Sequence, residues 1–168
     1  MNKALGLFVL LNVSLANAQT TSNNKIIIQQ FYEAFNQGNL ALASTFYASV
    51  VQLRSAAGTS YQLTKEMLQK SIEGSFKAFP DGKNEIITIM ADGDWVAVCD
   101  RRTGTNLGPW MGIEATGKTT DFLVMEMYRL HQGKIVEIMV VHDHLTALKQ
   151  LGIIPSDIRN LLPAPLKK

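Results

Sequence analysis

Residues 140–154 read VVHDHLTALKQLGII, an acid between two histidines where an apolar run gives way to helical spacing. A metal site needs three or four convergent ligands, and His142 and His144 supply two. On an extended strand of about 3.4 Å per residue, His131 stands roughly 30 Å from them. The histidines therefore read as surface or half-buried side chains, and no metal is expected. Two apart on a strand, they point one way and Asp143 the other. Ile135, Met139 and Val141 share the Asp143 face, with Glu137 its one polar member. If that face looks into a cavity, Asp143 closes an apolar wall, and desolvation raises its pKa by disfavouring the anion. A carboxyl tuned in this way takes a proton from carbon next to a carbonyl and returns one to oxygen. An Asp just before a helix is also a favoured N-cap, accepting a first-turn N–H. Two carboxylate oxygens allow both roles, and both readings stand.

Other side chains offer less. Trp110 is placed to cover a pocket mouth or to anchor its loop. Tyr32 and Tyr47, near the helical residues, present phenols to a carbonyl or simply pack in the core. The chain holds no G-x-S-x-G elbow, no G-x-x-x-x-G-K-[ST] loop and no G-x-G-x-x-G. Serine-triad hydrolysis, nucleotide use and a dinucleotide cofactor lose support accordingly. Cys99 is the only cysteine, so no intrachain disulfide forms, and its apolar surroundings suit buried filler.

The elements that must position these residues follow from periodicity. Ile26, Ile27, Phe31, Ala34 and Phe35 recur at helical spacing before Gly38. Asn39 caps a short helix through Ala41–Tyr47, VVQLRSA (50–56) is a strand, and Thr64 starts a helix that Pro80 ends. NEIITIM (84–90) and DWVAVCDRRTG (94–104) flank Ala91-Asp92-Gly93, while TDFLVMEMYRL (120–130) and KIVEIMVVHD (134–143) flank His131-Gln132-Gly133. Both are hairpins. Helices followed by long strands indicate an α+β domain with three N-terminal helices packed on a strongly curved antiparallel sheet. Several strands are apolar on both faces, so a homodimer through the outer sheet face is expected.

The ends bound the context. MNKALGLFVLLNVSLANAQ carries Lys3, an apolar run and Ala16-Asn17-Ala18, the order of a secretory signal peptide cleaved after residue 18. Residues 19–24 read as a loose lead-in, 25–154 as the folded domain and 155–168 as a tail. An exported protein, periplasmic or secreted, with no membrane span after cleavage is the expectation. The formal net charge is +2, and loss of Lys3 leaves it nearer neutrality. No basic stripe points to nucleic acid.

FYEAFNQGNL, FPDGKNEI, ADGDWVAV, GTNLGPWMGIEATGK and YRLHQGKIVEIMVVHDHLTALKQLGII together resemble the SnoaL-like polyketide cyclase (ester cyclase) family. The similarity covers about residues 25–154 and implies the cone-shaped α+β barrel of nuclear-transport-factor-like proteins. It implies an apolar pocket and, as in the founding cyclases, intramolecular aldol closure without metal or cofactor. The family's catalytic aspartate precedes L-x-x-L-x-Q-L-G, which places it at Asp143. Asn106 stands where family members often carry a histidine, and Met125 and Met127 replace polar side chains along the strand before the last hairpin. With Met139, these thioethers imply a greasier pocket with fewer donors for an enolate. The expected activity is a cyclase or isomerase using Asp143 next to a carbonyl, acting on a small apolar or carbonyl-containing molecule. The alternative is a non-catalytic ligand-binding or dimerisation module.

Overall fold

A computed structural model describes residues 3–157, with side chains from residue 19 onward. The side chains of the expected leader and residues 158–168 of the expected tail lie outside the described residues. Among the described residues, no helix is long and apolar enough to cross a membrane.

Helix α1 spans Lys3–Asn36 and includes 19–24, which are helical and not a loose lead-in. No Gly or Pro interrupts them, and Asn24 is held at its side chain, whose Nδ2 donates to Gly93 O at 3.1 Å. Ile28, Phe31, Tyr32 and Ala34 are buried on one face of the helix. Gly38 ends it at φ 68°, a left-handed conformation that suits a residue without Cβ. Asn39 accepts from Leu42 N at 3.0 Å and caps α2, Leu40–Thr45. Strand β1 (Tyr47–Ser55) turns back into β2 (Ser60–Thr64), a strand absent from the sequence reading because SYQLT is short and mostly exposed. Thr64 caps α3, Lys65–Ala78, whose buried Leu68 and Ile72 face the core. Then come β3 (Lys83–Asp92), β4 (Trp95–Thr105), β5 (Thr119–His131), β6 (Lys134–His142) and α4 (His144–Leu151), closed by Gly152.

The six strands form one open sheet in the order β2-β1-β6-β5-β4-β3. It is mixed, because β1 lies parallel to β6 while the other neighbours are antiparallel. The expected α+β fold with helices packed on a sheet is borne out, while the sheet is mixed and open where an antiparallel barrel was expected. The reason is that α1 and α2 carry the chain past the sheet before β1 enters beside the last strand. Helices cover one face, and Ile28, Val51, Val96, Val98, Leu130 and Ile135 make the core between the two layers. Burying a side chain of the size of Ile28 or Leu130 contributes about 2–3 kcal/mol, so this layer carries much of the stability.

One irregularity decides which residues face the core. Leu130 pairs with Ile135, but Arg129 pairs with Glu137, so Val136 is an extra residue in β6. Such a bulge shifts the alternation by one position, sending every later side chain to the other face. Ile135 and Ile138 are both buried, and beyond them Val140 and His142 point inward. Met139 and Val141 point outward.

Candidate functional site

A cavity opens between the helices and the concave sheet face. It has two adjoining lobes of about 280 and 230 Å³ that share Phe35, Ser71, Ser75, Asn84, Arg102 and His142. Phe76, Phe79, Trp110 and Phe122 line the outer lobe together with His144. Tyr32, Tyr47, Glu126 and Tyr128 line the inner one.

The polar groups converge because they occupy inward positions of neighbouring strands. On β4 these are Asp100 and Arg102, on β5 Glu126 and Tyr128, and on β6 His142. Asp100 pairs with Val124, and Val124 pairs with His142, so the three strands set them side by side. The Arg102 Nε donates to Asp100 Oδ2 at 2.9 Å, and Nη2 lies 2.9 Å from Glu126 Oε2. Nη1 is 3.3 Å from His142 Nε2. Glu126 also accepts from the Tyr32 hydroxyl at 2.7 Å and from that of Tyr128. Among the described residues, no buried side-chain nitrogen or oxygen lacks a hydrogen-bond partner. This satisfies the condition under which a buried charged network is tolerated.

The electrostatics follow from these contacts. Burial pushes the Glu126 carboxyl up, but the Arg102 charge and the hydrogen bonds of Tyr128, Tyr32 and Arg102 bring it below its usual value. At Asp100 burial wins over Arg102, and the pKa is raised. Burial likewise raises the Tyr32 and Tyr47 phenols, so both stay protonated. His142 is lowered to about 4 by burial and by the Arg102 cation. His144 is lowered by the same two causes. The two imidazole rings stack with centroids 4.7 Å apart, and both are neutral at physiological pH.

The sequence expectations divide along the two faces. Tyr32 and Tyr47 are buried and line the inner lobe, and Trp110 lines the outer one. Asp143 lies elsewhere. It is exposed, accepts from Thr146 N at 3.0 Å as the cap of α4, and that bond holds its carboxyl below the usual value. Desolvation, on which a catalytic Asp143 depends, does not act on it. Met125, Met127 and Met139 are exposed on the outer face at 61, 42 and 38% and line no part of the cavity. The extra residue Val136 turns Met139 outward, while Met125 and Met127 hold the outward positions of β5, alternating with the buried Val124, Glu126 and Tyr128. Asn106 is fully buried but serves its loop, donating to Gly108 O at 2.7 Å and accepting from Thr116 N at 2.8 Å. The histidines were expected as surface or half-buried side chains, and Arg102, Asp100 and Glu126 were not expected at the site. Their signal was a charged residue recurring at period two within apolar strands, as Glu126 does between Val124 and Tyr128.

Trp110 is held over the outer lobe by packing on Phe79, with ring centroids 5.4 Å apart. Its loop is tied to the end of α3, since Leu107 N and Gly108 N both donate to Ala78 O. A Cβ at position 108 would come 2.3 Å from Lys77 O, so the approach requires glycine.

Comparison with known proteins gives a consistent picture. No curated protein matches the chain. AclR, a candidate hydroxylase of Streptomyces galilaeus, is 28% identical with a TM-score of 0.72, over 80% of this chain and 99% of its own. IdmH, a candidate polyketide cyclase of Streptomyces antibioticus, is 28% identical with a TM-score of 0.66, over 77 and 98%. A candidate polyketide cyclase of Acidithiobacillus ferrooxidans is 25% identical with a TM-score of 0.67, over 78 and 95%. These share the nuclear-transport-factor-like fold. The SnoaL-like polyketide cyclase model matches residues 26–151, three quarters of the sequence and all the elements that build the cavity. The chain belongs to the SnoaL-like polyketide cyclase family.

Proposed function

We propose that the protein is an exported cyclase or isomerase that moves a proton at carbon next to a carbonyl, using His142, His144 and Arg102. The observation that carries this reading is the pair of neutral histidines beside a guanidinium on the wall of an aromatic-lined cavity. A neutral imidazole accepts a proton, whereas imidazolium cannot. Removing a proton next to a carbonyl leaves an enolate, and donors facing its oxygen stabilise the developing charge. The enolate then takes the proton back at another atom, or attacks a second carbonyl of the same molecule. In the latter case a carbon–carbon bond forms and the new alkoxide recovers the proton. Each outcome balances with side chains alone.

The test uses an aryl 1,3-diketone in deuterated buffer, with α-carbon exchange followed by NMR. His144→Gln should lower the protein-dependent rate by about 10²-fold, the usual contribution of general acid–base catalysis. Asp143→Asn, which alters only the helix cap, should keep it. Loss in Asp143→Asn with retention in His144→Gln would return the role to Asp143. Tight probe binding with no exchange above buffer would favour a non-catalytic binding module.

Assembly and export form part of the same reading. Leu123, Met125, Met127, Met139 and Val141 are exposed together, with Met127 paired to Met139 and Met125 to Val141 across the strands. A second copy covering this face would remove that apolar surface from water. Met127→Glu should weaken such a dimer by at least about tenfold in sedimentation equilibrium. A wild-type chain that stays monomeric at high concentration opposes the dimer. Export predicts a mature N-terminus at Gln19, readable by N-terminal sequencing.

A further inference from the structure

We infer that Arg102 is a positioning residue that locks His142 as the Nδ1-protonated neutral imidazole, leaving His144 alone to move the proton. The inference rests on the proton-transfer reading of the cavity and assigns its two histidines different tasks.

A guanidinium carries five N–H donors and no acceptor. With Nη1 3.3 Å from His142 Nε2, that nitrogen meets it only by offering a lone pair. The ring proton then belongs on Nδ1. Arg102 is not free to turn away, because Nε is committed to Asp100 and Nη2 to Glu126, each at 2.9 Å. A planar fork pinned at two nitrogens fixes the direction of the third. A doubly protonated His142 would set N–H against N–H and one cation against another.

The charged and titratable groups around His142 are Arg102 on β4, Glu126 on β5 and His144 on α4. Arg102 and His144 oppose a positive ring, Glu126 favours one, and burial leads the outcome toward the neutral form. Asp143 is turned to solvent. With Nε2 occupied, His142 presents to a ligand only the Nδ1–H, a donor suited to a carbonyl oxygen and better suited to an enolate. His144 differs in this respect. Its ring stacks on His142 and meets Trp110 edge-on, and among the described residues no hydrogen bond reaches either of its nitrogens. It retains a basic lone pair, and its side chain lines the outer lobe.

Long-range ¹⁵N–¹H correlation spectra of the full chain report the tautomer without any ligand. Wild-type His142 should show a protonated Nδ1 and a bare Nε2 near neutral pH. Arg102→Lys keeps the positive charge between Asp100 and Glu126 but loses the fork, and should release His142 to the Nε2–H form. A wild-type His142 protonated at Nε2 overturns the lock, even if Arg102→Lys fails to fold. In diketone exchange, His142→Asn, whose amide N–H replaces Nδ1–H, should stay within about tenfold of wild type, while His142→Leu and His144→Gln each lose about 10²-fold. Equal losses in His142→Asn and His142→Leu, or full activity in His144→Gln, overturn the division of roles. Absence of exchange in the wild type defeats the catalytic reading and with it that division, while the spectra still decide the lock.

Discussion

Along β5 the inner positions Thr120, Phe122, Val124, Glu126, Tyr128 and Leu130 are all buried, while the outer positions Leu123, Met125 and Met127 are exposed. The inner set holds the buried charge of Glu126 and the outer set the exposed thioethers of Met125 and Met127, the reverse of what a hydrophobic pattern suggests at these positions. Burial alone does not decide where a polar side chain can stand. Glu126 is tolerated inside because two phenols and a guanidinium satisfy it, and Met125 is tolerated outside because an exposed thioether costs little. The contrast teaches that partners, more than polarity, sort residues between the two faces.

The comparison breaks most completely just past Val136. Deleting Ile138 while keeping the bulge would shift the alternation by one and push Asp143, Val141 and Met139 toward the cavity in exchange for His142 and Val140. A loss of more than about 4 kcal/mol is expected, measured by denaturant unfolding, since core and charge pairing fail together. Next in size, Glu126→Leu leaves Arg102 with Asp100 as its one carboxylate and strips Tyr128 of its carboxylate acceptor, while Tyr32 keeps Asp100. About 3 kcal/mol should be lost in the same assay, in keeping with removal of one partner from a buried ion pair.

The inner histidine also marks its face through pH. The folded His142 pKa of about 4 lies below the ordinary 6.5, so between these values the unfolded chain binds a proton that the folded chain refuses. Stability therefore falls as pH drops through that window and is fully retained above it. His142→Gln should remove about 2 kcal/mol of this acid-induced loss, read from unfolding curves across the window. On the outer side, Asp143→Ala should cost only about 1 kcal/mol, the value of a helix cap, with diketone exchange unchanged. The cap has the opposite group type but the same acid direction: its contribution is present above the unfolded carboxyl pKa and lost as pH falls through the folded one.

Much of the architecture was legible because its signals are local. Asn39, Thr64 and Gly152 mark helix ends by their own chemistry, and both hairpins announce themselves through Gly93 and Gly133. The period-two argument correctly separated His142 and His144 from Asp143. Its choice of the inward face failed, because nothing at Val136 marks a bulge: no glycine, no proline, no break in apolarity. That register comes from Leu130 and Ile135 meeting in the core and from β1 joining β6 after a long excursion. These are non-local contacts, invisible to a reading that moves along one strand. Nothing along β4 marks Arg102 as a site residue, because Glu126 and His142 reach it from β5 and β6.

The missing side chain at Gly108 has a kinetic consequence. Because the backbone there sits against Lys77 and Ala78, the segment bearing Trp110 cannot swing by itself and is coupled to the end of α3. A molecule passing Trp110 has to wait for helix and loop to yield together, a collective motion slower than the flip of one indole. For the occupant proposed above, the expected limit on exchange past Trp110 is how often that joint gives way.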